Sequence, residues 1–388
     1  MRALVCGAGI AGLTVAGELG RAGWDVTVVE RSPARREHGY MIDFLGPGFA
    51  AAEAMGLLPR LRELAYPIDR VSFVDEAGRA RHLRYDQVAR DQGGRLLSLM
   101  RPDLELALLE RLPPHVEVRL GTTVTTIDNG PGRVTATCAD GTTESADVLV
   151  GADGIHSTVR SQVFGPEERF VRQLGFHTCA FLFGAAELHQ RLGATFYLTD
   201  TLDRVAGLYA VRGGRVAMFG AHRVDDVALP ADPRAAVVRA YAGLGRLVEE
   251  ALTHCPESPD LYYDQVAQVE LAPWSAGRVV LAGDACQAVS LLAGQGASLA
   301  VAGGRLLVHE LSTASSVPEA FAHYERRWAP VVADRQAAGR RAAGSFLPRS
   351  RRALLLRRAG LRLLQVPLAR RLVSGRVVGR RAPTTTRD

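Results

Sequence analysis

The sequence predicts an α/β chain: a Rossmann-like nucleotide-binding layer, an interleaved antiparallel sheet and helices at the C-terminal end. Three observations predict it. A short apolar strand runs into Gly7-Ala8-Gly9-Ile10-Ala11-Gly12 and on into a helix. Several strand-like segments crowd residues 170–270. An arginine-studded stretch with helical apolar periodicity closes the chain. With 388 residues, 47% of them hydrophobic, the chain can bury one large core or two medium ones.

The first strand is Arg2 to Cys6. In the loop after it, Gly7 permits a tight turn, Gly9 lets backbone approach a pyrophosphate, and Gly12 allows close helix–strand packing. The helix LTVAGELGRAG follows, from Leu13, and its N-terminus supplies free N–H groups and partial positive charge. A second strand, Asp25 to Val29, ends in Glu30, 18 residues after Gly12, where an acid can accept ribose hydroxyls; Arg31 follows. This order of pieces points to a dinucleotide site, against a plain glycine-rich turn, and by itself does not separate FAD from NAD.

Val71 to Tyr85 reads as a hairpin around Glu76-Ala77-Gly78. Asp147 to Arg160, DVLVGADGIHSTVR, reads as a strand, a turn at Asp153-Gly154, and a helix that Ser157 can cap. A capped strand-to-helix connection without ligand reads equally well. In the middle, HTCAFLFG, ATFYL, RVAGLYAV and RVAMFGAH are strand-like, with a hairpin turn at Val211–Arg215. Such a sheet can wall a pocket with His177, Phe196, Tyr197, Tyr209 and Phe219, which read equally as ordinary core or outer-face residues. Further on, a strand from Val279 to Ala282 meets Gly283-Asp284, and Gly294-Gln295-Gly296-Ala297 opens another helix. A carboxylate at such a strand end can accept hydrogen bonds from a polyol, and N–H groups at the helix start can hold an electron-rich oxygen.

Composition narrows the class. Five scattered cysteines without CxxC spacing argue for a reducing, cytoplasmic setting and against disulfides or zinc. The opening MRALVCGAGIAGL looks superficially like a signal peptide, but its glycine spacing belongs to the nucleotide loop. No apolar run is long enough to span a bilayer. Every basic residue is Arg. Of the net +6, the segment 340–388 carries fourteen Arg against one acid, so the rest of the chain is near −7. A terminal helical pair lying across that acidic body is expected, rather than nucleic-acid or membrane binding. There is no Ser-His-Asp series and no metal-ligand spacing.

GxGxxG with its acid, then DG, then GD…GQG, together resemble the single-component flavoprotein monooxygenases of the para-hydroxybenzoate hydroxylase fold, in the antibiotic-tailoring and tetracycline-oxygenase-like branch. The resemblance spans roughly residues 1–330. It implies an FAD-binding domain from 1–70, 95–165 and 270–330, a substrate domain from 71–94 and 166–269, and Arg-rich helices over 331–388. It implies FAD held by Gly7, Gly9, Ile10, Ala11, Gly12, Glu30, Arg31, Met41, Arg101, Val124, Asp153, Asp284, Gly294, Gln295, Gly296 and Ala297. Arg101 matches a helix-starting arginine of the family, and Gly39 to Leu58 the segment beside the isoalloxazine. His177, Tyr197, Tyr209, Phe219 and Leu291 would face substrate.

The implied reaction is hydroxylation or Baeyer-Villiger oxidation of an aromatic or polyketide-type small molecule with NADPH or NADH and dioxygen, in bacterial secondary metabolism. The nicotinamide cofactor would bind transiently, because no second GxGxxG is present. No catalytic side chain stands out, since the flavin carries the chemistry. The sequence departs from the family at Gln287 (usually His), Leu291 (usually Pro), and Ala302 and Gly303 (usually acidic). Drift accounts for these; so does a redox-neutral FAD-containing cyclase or rearrangement enzyme. A membrane-bound flavin protein driven by the Arg tail is a further alternative. A halogenase is disfavoured by the absence of a WxWxIP-like segment and of lysine.

Overall fold

A computed structural model describes residues 1–35, 39–291 and 294–363. Its first sheet has six strands, in spatial order Ser275–Ala276, Val279–Leu281, Val148–Gly151, Arg2–Cys6, Asp25–Glu30 and Glu117–Leu120. All pairs are parallel except the first, which is antiparallel. The central strands are apolar and buried apart from Arg2 at the start of the first, because both faces of a parallel sheet are covered. The helices Ile10–Arg21 and Gly296–Thr313 pack on each other, and a three-stranded antiparallel sheet (Val124–Asn129, Val134–Cys138, Thr143–Ala146) shares the same core.

The second sheet has seven strands: Tyr262–Val269, Val171–Gly184, Arg215–Arg223, Arg204–Val211, Thr195–Thr199, Arg70–Val74 and Ala80–Arg84. The sequence-predicted hairpin at 71–85 forms its edge, with Val71 opposite Leu83. The Val211–Arg215 turn joins two neighbouring strands. One face of this sheet buries Phe181, Met218 and Leu208 with Val237, Tyr241 and Val248 of two short helices. The other packs Tyr209 and Ala217 against Met100, with Met41 alongside. Met41 and Met100 lie opposite each other in a two-stranded ribbon, Met41–Leu45 with Leu96–Met100, that runs between the two sheets.

At the C-terminal end, Val317–Phe346 is one helix that runs through Pro330, so the expected boundary at 330/331 falls inside a continuous element. Arg351–Leu363 follows. Its Arg357 and Arg358 reach the buried Asp200 at 2.5 and 2.6 Å, and Arg81 joins them at 3.2 Å. A buried carboxylate is tolerated only with such partners; removing it would strand cations, at a cost of about 3–5 kcal/mol. The rest of the predicted tail, 364–388, lies outside the described residues. Among the described residues, no helix is long and apolar enough to cross a membrane.

Candidate functional site

The parallel register brings the sequence motifs together. Cys6 pairs with Val29 on one side and Gly151 on the other, and Gly151 pairs with Leu281. The loops beginning at Gly7, Asp153 and Gly283, and the acid Glu30, therefore all leave the carboxyl ends of adjacent strands. Open α/β sheets bind ligands in the crevice at that edge.

The first loop is tightly built. Gly7 has φ +106°, and a Cβ there would strike the Ala152 carbonyl. A Cβ on Gly12 would strike the carbonyl of Gly7. Gly9 is different: the nearest atom to its Cβ position is Glu105 Oε1, 4.0 Å away. The loop is rigid on its protein side and open where a phosphate would sit. Glu30 fixes it, accepting from the Ala8 N–H at 2.9 Å and the Ser32 N–H at 2.8 Å. The helix starts at Ile10, earlier than the apolar pattern from Leu13 suggests, so its free N–H groups border the open side of Gly9. Arg31 is exposed just beyond Glu30. Val124 is buried in the three-stranded sheet, and Thr122, two residues before it, donates its N–H to the Glu30 carbonyl.

In the second motif Asp153 accepts from Ser157 Oγ at 2.5 Å and from the Val159 N–H at 3.1 Å, while Ser157 Oγ caps the helix by accepting from the Arg160 N–H. Burial pushes the Asp153 carboxyl up, against the pull of these bonds. Sequence reasoning gave Arg160 no role. It is fully buried, donates to the Ile155 carbonyl at 2.6 Å and to the Ala285 carbonyl at 2.9 Å, and so ties the second motif to the third. An arginine ending an otherwise small and apolar motif was the available signal.

The third motif is open. Gly283 has φ +61°, and a Cβ there would come within 2.5 Å of Ala11 Cβ, which presses this turn against the first. Asp284 is exposed, yet burial in the surrounding protein pushes its carboxyl up, with Arg101 pulling it back. Arg101 opens the Arg101–Glu110 helix, 3.4 Å from Glu105, and that carboxylate, with Tyr40, Tyr262 and Asp284 nearby, raises its pKa. The Tyr40 and Tyr262 rings lie tilted with centroids 6.0 Å apart, both hydroxyls pushed up by burial. These side chains reach solvent and are nevertheless walled by protein. They define a cleft between the two sheets.

The cleft continues along the Met41–Leu45 strand. The Met41 N–H donates to Tyr209 Oη at 2.7 Å, and the Leu45 N–H to Ser298 Oγ at 3.3 Å, at the start of the Gly296–Thr313 helix. Gly294, Gln295, Gly296 and Ala297 lead into that helix, with Gly296 3.9 Å, by its Cβ position, from Asp284 Oδ1. Phe219 lies beside Tyr40, ring centroids 6.2 Å apart, whereas Tyr209, on the same face of the sheet and stacked on Phe196 at 4.7 Å, is fully buried.

His177 and Tyr197 are not brought to the cleft. Period-two alternation sends both to the opposite face, against the short helices. There His177 Nε2 lies 3.1 Å from the Val227 carbonyl and Nδ1 2.9 Å from Tyr263 Oη. A carbonyl can only accept, so Nε2 carries a proton and donates it there, with Nδ1 turned to the Tyr263 hydroxyl. His222, beside it, accepts from Tyr241 at 3.0 Å, and burial lowers its pKa to about 4. These two histidines border a separate depression of about 340 Å³ on the back of the sheet.

The family-divergent loop is imperfectly satisfied. Gln287 is buried, donates weakly to the Leu299 carbonyl at 3.4 Å, and leaves its Oε1 without a partner among the described residues. Ser290 has φ +77° and an Oγ without a partner among the described residues. Leu291 is half-buried at the edge of the described segment. Gly303 packs under Trp328 Nε1, where a Cβ would come within 2.5 Å, so an acidic residue there would not fit this packing. Among the described residues, no three His, Cys, Asp or Glu side chains converge on a metal position.

The FAD binding domain family matches residues 1–336. This chain belongs to that family of flavoprotein monooxygenases. It is 35% identical over 332 residues to an uncharacterized protein of Mycobacterium tuberculosis, covering 83% of this chain and 88% of that one. It is 31% identical over 347 residues to the 3-amino-4-hydroxybenzoate 2-monooxygenase PtmB3 of Streptomyces platensis, covering 85% of each. Its fold matches the tetracycline destructase Tet(55) with a TM-score of 0.81 at 25% identity, over 92% of this chain and 94% of that one. The cradle fits the family's cofactor: an open Gly9 at a helix start, then Arg101 and an exposed Asp284 farther along the same cleft.

Proposed function

We propose that the protein is an FAD-dependent monooxygenase that uses NADPH or NADH and dioxygen to hydroxylate, or oxidise in the Baeyer-Villiger manner, an aromatic or polyketide-type small molecule of bacterial secondary metabolism. The observation that carries this reading is the single cleft. It runs from the glycine turns through Asp284, Arg101 and Tyr40 to the partly buried Phe219, with Met41 and Phe196 in the same apolar cluster. A flat, largely apolar substrate fits beside such a cluster. The name of the Streptomyces relative, an aromatic-ring monooxygenase, supports it.

In this reading the Gly7–Gly12 loop and the helix start hold the pyrophosphate, and Glu30 the adenosine ribose. Arg101 and Asp284 hold the linker, and the Gly294–Ala297 turn the pyrimidine edge. FAD supplies hydride acceptance and oxygen activation. The chain's own residues orient the substrate and keep water out.

Anaerobic NADPH or NADH is expected to bleach the flavin band, and air to restore it, with an oxygenated product once a substrate is found. The second reading, a redox-neutral flavin enzyme, draws on the unpaired Gln287 Oε1 and the strained Ser290 in the divergent loop. It requires a flavin band that neither nicotinamide bleaches even with bound substrate, and that result would overturn the monooxygenase.

A further inference from the structure

One carboxylate in the cleft has no use in the scheme above. Asp43 lies in the middle of the Met41–Leu45 strand and on the same side as Met41, because strand residues alternate. Directly opposite is Ser98, whose Oγ donates to Asp43 Oδ1 at 3.3 Å. Tyr85, at the start of the Tyr85–Asp91 helix, lies beside it with its hydroxyl buried near Asp43 and Ser98. Asp43 is exposed to solvent on the side of the ribbon that carries Met41.

Its surroundings lack positive charge. No Arg or His ion-pairs with Asp43 among the described residues, and the chain contains no Lys. Elsewhere the molecule pairs its enclosed acids generously: Asp200 alone has three arginines. Burial pushes the Asp43 carboxyl up, while Tyr85 and Ser98 offset this only in part. A carboxylate that reaches solvent with only neutral donors beside it, on the same strand side as the partly buried Met41, is left for an entering ligand to neutralise once that ligand displaces its water.

We propose that Asp43, assisted by the Tyr85 hydroxyl, is a specificity-determining anchor for a protonated amino group on an otherwise flat, apolar substrate. This rests on the reading that the cleft takes the substrate of the flavin reaction. A cation is favoured over a neutral hydroxyl donor because only a cation removes the uncompensated charge. A carboxylate-bearing ligand would be repelled.

The test uses flavin-loaded protein and three probes of one shape: naphthylmethylammonium, naphthylmethanol and naphthylacetate. Binding is measured by calorimetry and by perturbation of the flavin spectrum. The ammonium probe is expected to bind at least about tenfold tighter than the alcohol, as a charge-assisted hydrogen bond implies, with the acetate weakest. Asp43→Asn is expected to bring the ammonium-to-alcohol ratio to about one while leaving flavin content unchanged, and Asp43→Glu to restore part of the preference. Tyr85→Phe is expected to weaken the ammonium probe a few-fold. A preference that survives Asp43→Asn overturns the proposal. So does a preference for the acetate, or flavin-loaded protein that binds none of the three. A protein that takes up no flavin sinks the functional reading and this inference with it, whereas flavin-loaded protein with flat selectivity sinks this inference alone.

Discussion

The two glycine turns sit side by side at the edge of one sheet and are built in opposite ways. The first, Gly7 to Gly12, is closed on its protein side by backbone contacts and by both oxygens of Glu30. The second, Gly283 to Gly296, carries an exposed Asp284, a Gln287 oxygen without a partner among the described residues, and a non-glycine residue, Ser290, in the left-handed region. The difference teaches what each end of a dinucleotide site needs. An end that only holds phosphate can be packed to the last ångström. An end that holds a reacting ring keeps unfinished hydrogen bonds and backbone strain, which stand where function demands them.

The largest effect should come from spoiling the first turn. Gly12→Ala sets a methyl group against the Gly7 carbonyl, where no flexible side chain can give way. Overpacking costs about 1–3 kcal/mol where neighbours can shift and more where they cannot. We expect protein that is poorly soluble or flavin-free, measured as flavin per polypeptide. A well-folded, flavin-loaded Gly12→Ala protein would break the contrast at its stronger end.

Asp284→Asn should do the reverse, with little loss of stability because the exposed carboxylate has no hydrogen-bond or ion-pair partner within 4 Å among the described residues. We expect FAD to bind roughly 10- to 100-fold more weakly, the loss of one or two hydrogen bonds to a charged group. Flavin fluorescence titration beside a thermal melt separates the two effects, and a fall in melting temperature without loss of affinity would contradict the assignment.

Ser290→Gly sharpens the comparison by removing strain. A non-glycine residue in this region costs about 1–2 kcal/mol, and glycine returns part of that through chain entropy. A gain of about 0.5–1 kcal/mol in denaturant unfolding is expected; a loss would mean that the Ser290 side chain contributes more than its unpartnered Oγ suggests.

The smallest effect is pH-dependent. His156, three residues after Asp153, lies 2.9 Å from Glu167 and 3.4 Å from Asp264, and these carboxylates, Asp264 first, raise its pKa to about 9. A raised histidine stabilises the fold while charged. Its contribution is full below about 6.5 and disappears as pH rises through about 9. Solvent screening of the half-exposed ring keeps it small. Unfolding curves of wild type and His156→Ala should converge above that range, and a difference that persists at higher pH would exclude the ion pairs as its source.

Much of the nucleotide layer was legible because its motif elements obey local rules. Arg2–Cys6 was bounded to the residue and the Ser157 cap was in place, as were the hairpins at 71–85 and 211–215 of the second sheet, whereas the strand Glu117–Leu120 was not read. The faces of the middle sheet were not legible. His177 and Tyr197 looked like pocket residues, yet a strand's pattern does not say which face meets the cofactor when both faces are apolar, as here. The three-stranded sheet at 124–146 was missed because its polar, threonine-rich strands have little apolar signal. Arg160 was invisible as a linker because its partners are backbone carbonyls, one of them 125 residues away.

The central claim is that the two turns clamp opposite ends of one FAD. Fragment titration tests it most directly: ADP and FMN are each measured against wild type, Glu30→Gln and Asp284→Asn. The account predicts that Glu30→Gln weakens ADP and spares FMN, that Asp284→Asn weakens FMN and spares ADP, and that either variant weakens FAD. If both substitutions weaken the same fragment, or neither weakens any, the two turns do not share one cofactor in this way.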